Sequence, residues 1–194
     1  MQLEHEFEVP ASPQRTLELL LDAERVVPCM PGATLLEVVD DRTWKSELGI
    51  KLGPVSMQFL ADVKLLERDD SANAVKLGVS ARDKRGKGGA EATVDSVLHD
   101  AGAGGTRVAM TTDLRFSGQA AQLGRPGVVK DVSNKLVGQF AECIKAQLSA
   151  APQERAQAVQ EAQKPISGLS LAVGALVGAV KRLLGRGRAK GETT

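Results

Sequence analysis

Apolar and polar side chains alternate from the start of the chain: Leu3, His5, Phe7 and Val9 share one parity, and Glu4, Glu6 and Glu8 the other. A period of two sends successive side chains to opposite faces, so this segment predicts a half-buried strand with an acidic outer face. "ASPQRTLELLLD" follows. Ser12 suits an N-cap and Pro13 the first helical position, while Leu17, Leu20 and Leu21 form a helical stripe. Pro28, Pro31 and Gly32 in "VPCMPG" end that helix.

The alternation then resumes. "ATLLEVVD" and "TWKSELGIKL" flank the turn "DDR", and Trp44, Leu48, Ile50 and Leu52 share a parity. After the Gly53–Pro54 turn, "VSMQFLADVKLL" puts Val55, Met57, Phe59, Ala61, Val63 and Leu65 on one face and Ser56, Gln58, Asp62 and Lys64 on the other. "AVKLGVSARD", "AEATVDSVLHD" and "TRVAMTTDLRFSG" continue it, separated by the loops "GKGG" and "AGAGG". Past Gly127 the period changes. Val129, Val132, Leu136, Phe140, Ile144 and Leu148 recur every third or fourth residue, which predicts one long amphipathic helix from Pro126 to about Ser149. "AAPQERAQAVQEAQKP" has Val159 as its one large apolar residue and reads as a linker, helical or not, with nothing to pack.

Short turns make sequential strands antiparallel neighbours. A single antiparallel sheet needs its apolar face covered, and the long helix is the one element large enough to do it. The expected class is therefore α+β, a curved antiparallel sheet around a C-terminal helix. The expected division is a domain over 1–149, a linker over 150–165 and a tail over 166–194.

The tail changes the picture drawn from net charge. The whole chain carries +1, but residues 166–194 carry +4 and the remainder −3. "ISGLSLAVGALVGAV" has no charge, and five basic residues follow between Lys181 and Lys190. Residues 166–180 would span about 22 Å as a helix, against about 30 Å of bilayer hydrocarbon, so a full crossing is marginal. Leu169, Val173, Leu176 and Val180 make an apolar stripe, with Lys181, Arg182, Arg186 and Arg188 beyond it. Gly174 and Gly178 weaken the helix in water. These features fit an anchor that forms on a membrane surface or on a partner protein. The acidic body and scarce aromatics argue against nucleic acid as a partner. The charged, alternating N-terminus is not a secretory signal, which places the expected location in the cytoplasm, peripheral on the inner face of its membrane.

No nucleophile motif, phosphate loop or metal-ligand spacing is present. Cys29 and Cys143 lie far apart in unlike contexts, supporting neither a zinc site nor a disulfide. Cys29 reads as a small buried hydrophobe, with a reactive thiol as the alternative. "ARDKRGKGGA" reads as a hairpin loop. His5 has inward parity and reads as a hydrogen-bonded core residue, whereas Asp113 should face outward. Many inward residues are small or flexible, including Met57, Ala61, Ala81, Ala92, Met110, Thr112 and Leu114. The interior is either a solid core or a cavity. A cavity would take an apolar ligand, since no inward charge could pair with a polar one.

The ordered series "FEVPASPQRTLELLLDAERVVPCMPGATLLE", "KLGPVSMQFLADVKLLERD", "GKGGAEATVDSVL" and "FSGQAAQLGRPGVVKDVSNKLVGQFAECIKAQL" resembles the family of carbon monoxide dehydrogenase G subunits, part of the START-like helix-grip superfamily. "CMPG" and "LGRPG" are the most specific pieces, and neither is a catalytic signature. The resemblance covers residues 1–149. It implies a seven-stranded antiparallel sheet gripping the C-terminal helix, with a cavity for hydrophobic ligands between them. It also implies a non-enzymatic accessory role: binding a membrane quinone (menaquinone or ubiquinone) as electron acceptor, and recruiting a molybdenum-containing CO dehydrogenase, or a related hydroxylase, to the cytoplasmic membrane. It carries Met30, Val129, Val132, Leu136 and Phe140 to cavity positions, and strand parity adds Trp44, Met57, Phe59, Met110, Leu114 and Phe116. No catalytic or metal-binding residue comes with it. Two alternatives stand beside this: a helix-grip cyclase or hydrolase, for which His5, Cys29, Thr112 and Asp113 are the candidate polar groups, and a ligand-free membrane adaptor with a solid core.

Overall fold

The computed structural model describes residues 1–52, 55–123, 126–149 and 152–163. Strand β1 (Gln2–Val9) leads into helix α1 (Pro13–Leu21), helix α2 (Ala23–Val26) and a 3-10 turn (Val27–Cys29). Six strands follow: β2 (Ala33–Asp40), β3 (Thr43–Leu52), β4 (Val55–Asp69), β5 (Ala74–Asp83), β6 (Gly88–Gly102) and β7 (Gly105–Gly118). Helices α3 (Ala120–Leu123), α4 (Pro126–Ser149) and α5 (Pro152–Ala162) come after the sheet. The sheet has seven strands in the order β1-β7-β6-β5-β4-β3-β2, all antiparallel, as expected. The tail residues Leu169, Val173, Leu176, Val180, Lys181, Arg182, Arg186 and Arg188 lie outside the described residues.

Local chemistry explains the element ends. Ser12 caps α1, its side chain accepting from the Arg15 amide, and Pro13 opens the helix. The buried face of α1 is Thr16, Leu17 and Leu19, with Leu20 and Leu21 half-buried, so the buried stripe is shifted from the expected one. At the β5–β6 turn the Asp83 carboxylate accepts from the amides of Arg85 and Lys87, satisfying the loop backbone of "RDKRGKGG".

A solid core fills one end of the sheet. Phe7, Val9, Trp44, Val63, Val75, Leu98 and Val108 pack under the C-terminal half of α4, which supplies Phe140, Ile144 and Leu148. Phe7 and Phe140 meet edge to face at 6.1 Å. Burying each large side chain here contributes roughly 1.5–3 kcal/mol.

Two expectations fail in this region. Residues 152–162 form a helix that packs: Ala162 is buried in the core and Val159 lies against it, so the stretch is not a linker with nothing to pack. Small Ala side chains let this helix approach α4 closely, a signal that a search for large apolar residues misses. Cys29 and Cys143 are also joined as a disulfide, with Cα atoms 5.4 Å apart across 114 residues of sequence. Both are sealed from solvent, at 0% and 2% exposure, so Cys29 is no free thiol. Sequence spacing could not reveal this pairing, because it arises only when α4 returns over the turn after α2.

Candidate functional site

The other end of the sheet is not filled. Beneath the N-terminal half of α4 lies a cavity of about 330 Å3. Its floor tapers because of the residues placed there. On β5 the same face carries Ala81, Val79, Leu77 and Val75 in turn; on β6 it carries Ala90, Ala92, Val94, Ser96 and Leu98. Ala81 pairs with Ala90, and Val79 with Ala92, whereas Leu77 pairs with Val94. Alanine methyl groups leave room where the larger side chains further along close it. The roof is Val128, Val129, Val132, Ser133, Leu136 and Val137 of α4. Leu48, Ile50, Met57, Phe59, Phe116 and Ala120 close one side, and Leu3, His5, Thr112 and Leu114 the other. Val128, 43% exposed, marks where the cavity meets solvent.

The turn "CMPG" aims its side chains to both ends. Cys29 bonds to α4, and the next residue, Met30, lines the cavity. Gly32 has φ of +77°, and a Cβ there would strike the Gly49 carbonyl oxygen, so only glycine fits. The Gly49 amide in turn donates to the Gly32 carbonyl at 2.9 Å, tying the turn to β3.

Of the residues expected at the cavity, Met30, Met57, Phe59, Leu114, Phe116, Val129, Val132 and Leu136 line it. Trp44, Met110 and Phe140 do not: they share the correct face but belong to the solid core at the other end. Parity assigns a face, not a position along the strand. Ala81 and Ala92 line it from the inward face that parity gives them, whereas Ala120, Val128, Ser133 and Val137 are lining that periodicity alone does not single out. Hydrogen bonds at the cavity wall are few among the described residues. His5 Nε2 donates to Asn134 Oδ1 at 3.1 Å, and Ser133 Oγ donates to the Lys130 carbonyl at 3.0 Å. Among the described residues no carboxylate or ammonium group lines the cavity. Nor does any cluster of three His, Cys, Asp or Glu side chains among them stand ready to hold a metal ion.

A second, shallower depression of about 750 Å3 lies on the opposite face of the sheet. It is lined by charges of both signs, including Lys45, Asp62, Arg82, Glu91, Asp113 and Arg115. Lys45 pairs with Glu37 at 2.8 Å, and that hydrogen-bonded carboxylate holds the ammonium pKa above its usual range. Though larger, this surface is charged, and its Lys45 is already paired with Glu37. The apolar cavity beneath α4 is the better site for an apolar ligand. Asp113 faces the outer depression, as its parity predicts.

The family described as the carbon monoxide dehydrogenase G subunit (CoxG) matches residues 6–149. A search of curated proteins returns no match. Among solved structures, a conserved protein from Geobacillus kaustophilus superposes with a TM-score of 0.68 at 19% identity, covering 76% of this chain and 95% of its own. Norcoclaurine synthase from Thalictrum flavum, in complex with a transition-state analogue, superposes with a TM-score of 0.52 at 14% identity, covering 77% and 96%. At these identities the likeness establishes the helix-grip fold alone. No helix among the described residues is long and apolar enough to cross a membrane.

Proposed function

The chain belongs to the CoxG family, and from that premise we propose that it is a non-enzymatic carrier holding a membrane quinone for a molybdenum-containing CO dehydrogenase. The family ties the chain to a CO dehydrogenase system in an accessory role. The quinone, its delivery and the attachment to the inner face of the cytoplasmic membrane are the proposal. The observation that carries it is the apolar cavity of about 330 Å3 beneath α4.

Magnitudes fit a mobile cargo. Enclosing an apolar ring system of about ten carbons gains roughly 8 kcal/mol, at about 0.8 kcal/mol per carbon group. Lost freedom on association offsets about 4 kcal/mol or more, leaving a ring alone near millimolar affinity. A prenyl chain continuing past Val128 adds affinity, and its free end stays near the mouth. A ligand held this way exchanges with a bilayer rather than remaining as a fixed redox group.

The catalytic alternative is less well supported. Of its four candidate polar groups, Cys29 is in a disulfide and Asp113 faces the outer surface. His5 and Thr112 remain at the cavity, without a carboxylate or thiol beside them among the described lining residues.

The test is chemical. Full-length protein is incubated with vesicles containing menaquinone or ubiquinone, re-isolated and extracted with organic solvent. About one prenylated quinone per chain is expected by mass spectrometry. Repeated absence would overturn the proposal.

A further inference from the structure

The cavity is polar at one end only. His5, Thr112 and Ser133 are its polar lining side chains, and all three lie on the side towards β1 and β7. His5 on β1 sits opposite Met110 of β7, and Leu3 sits opposite Thr112, so His5 and Thr112 are diagonal neighbours on one face. His5 bonds to Asn134, and Ser133 is the adjacent residue on α4. The far side, towards β3 and β4, is apolar throughout, from Leu48 and Ile50 to Phe59.

The hydrogen bonds around this end fix what it still offers. An amide oxygen only accepts, so Asn134 Oδ1 requires the proton on His5 Nε2. In the neutral ring Nδ1 is then an acceptor. The Ser133 hydroxyl spends its proton on the Lys130 carbonyl, so its remaining capacity is also to accept. Thr112 has a hydroxyl that can serve either way.

We infer that this end selects a hydroxyl-bearing ligand over its carbonyl analogue: an apolar molecule with a hydrogen-bond donor at the end that meets His5. A hydroxyl proton finds acceptors at His5 or Ser133, and its oxygen accepts from Thr112. A ketone of the same shape has Thr112 alone as a donor, and it gains nothing from the two acceptors. The inference rests on reading the cavity as an apolar-ligand site. For a quinone cargo it means the reduced, dihydroxy form is held more tightly than the oxidised one. Asn134 is a positioning residue, acting through the His5 tautomer.

The two readings fail separately in one experiment. Full-length protein is titrated with tetralin, 1-tetralone and 1-tetralol, which share a skeleton and differ at one position, by following backbone amides near Ala92 and Leu114 in 1H–15N NMR spectra. Binding of 1-tetralol about three- to tenfold tighter than 1-tetralone is expected, the range of one hydrogen bond. His5→Leu should shrink that ratio, each affinity being read relative to the variant's own tetralin affinity because His5 lines the cavity. Asn134→Leu, at an exposed position, should shrink or reverse the ratio by freeing the ring to donate, and it keeps the test valid should His5→Leu misfold. Equal affinities of 1-tetralol and 1-tetralone in wild type, with tetralin bound, would overturn the donor preference alone. No binding of tetralin would overturn the cavity reading, and this inference with it.

Discussion

Ala81, Ala90 and Ala92 stand on the cavity face of β5 and β6, where the same strands carry Val79, Leu77 and Val94 further along. This difference of a few methyl groups decides where the cavity is. It leads to a paired prediction. Ala92→Phe places its ring in open volume and should leave the thermal midpoint unchanged or raised, since burial of the ring gains roughly 1.5–3 kcal/mol. Ala141→Phe, in the solid core at the other end of the sheet, should lower stability by about 1–3 kcal/mol through overpacking. Thermal denaturation of both variants checks this, and equal destabilisation would show that the floor is solid at Ala92. Inward parity picks out Ala92 and Thr112 in the sequence, because period two is strict in a strand. It could not separate Met57, which lines the cavity, from Met110 or Trp44, which do not. That distinction depends on how far along the sheet α4 lies. The same limit applies to His5: its inward parity is legible, but its bond to Asn134, far along the chain, is a product of the fold.

At the scale of elements, α4 is divided in function. Its C-terminal half is bolted down by Phe140, Ile144, Leu148 and the Cys29–Cys143 bond, while its N-terminal half roofs the cavity. Replacing Cys143 with Ser should lower stability by about 2–4 kcal/mol in urea denaturation, as expected for a cross-link closing a long loop. An unchanged midpoint would mean the bond does not form in solution. Because both sulfurs are sealed from solvent, thiol titration of native protein should detect no reactive cysteine, and denaturation under reducing conditions should release two. Such bonds are uncommon in reducing compartments, and burial is what would let this one persist there. Hydrogen exchange should also differ along α4, faster at residues 128–136 than at 140–148, with ligand slowing the first group. The long helix was legible from its period and from Pro126. The packing of α5 was not, because Ala162 and Val159 give too weak a periodic signal against the surrounding Gln and Glu.

At the scale of the whole molecule, the tail follows α5, which packs at the C-terminal end of α4. The cavity opens near Val128, towards the other end of a helix about 36 Å long. Residues 164–194 lie outside the described residues; a fully extended chain of that length would span more than that distance, at about 3.3 Å per residue. The proposed membrane attachment therefore requires only that one surface meet both the tail and the mouth. Truncation after Gln163 keeps Ala162 in the core, so the body should remain folded while co-sedimentation with vesicles is lost. Unchanged sedimentation would refute the anchor. Lys181, Arg182, Arg186 and Arg188 changed to Gln should weaken binding mainly to anionic vesicles at low salt, because screening shortens the reach of each charge to about 10 Å at 0.1 M. The central claim, however, concerns the cavity, and one titration tests it most directly. Full-length wild type and Ala92→Phe are each titrated with a reduced, short-chain prenylated naphthoquinone under anaerobic conditions, by calorimetry. The account predicts one equivalent bound to wild type and none to the filled variant. Equal binding to both would contradict it, placing the quinone somewhere other than beneath α4.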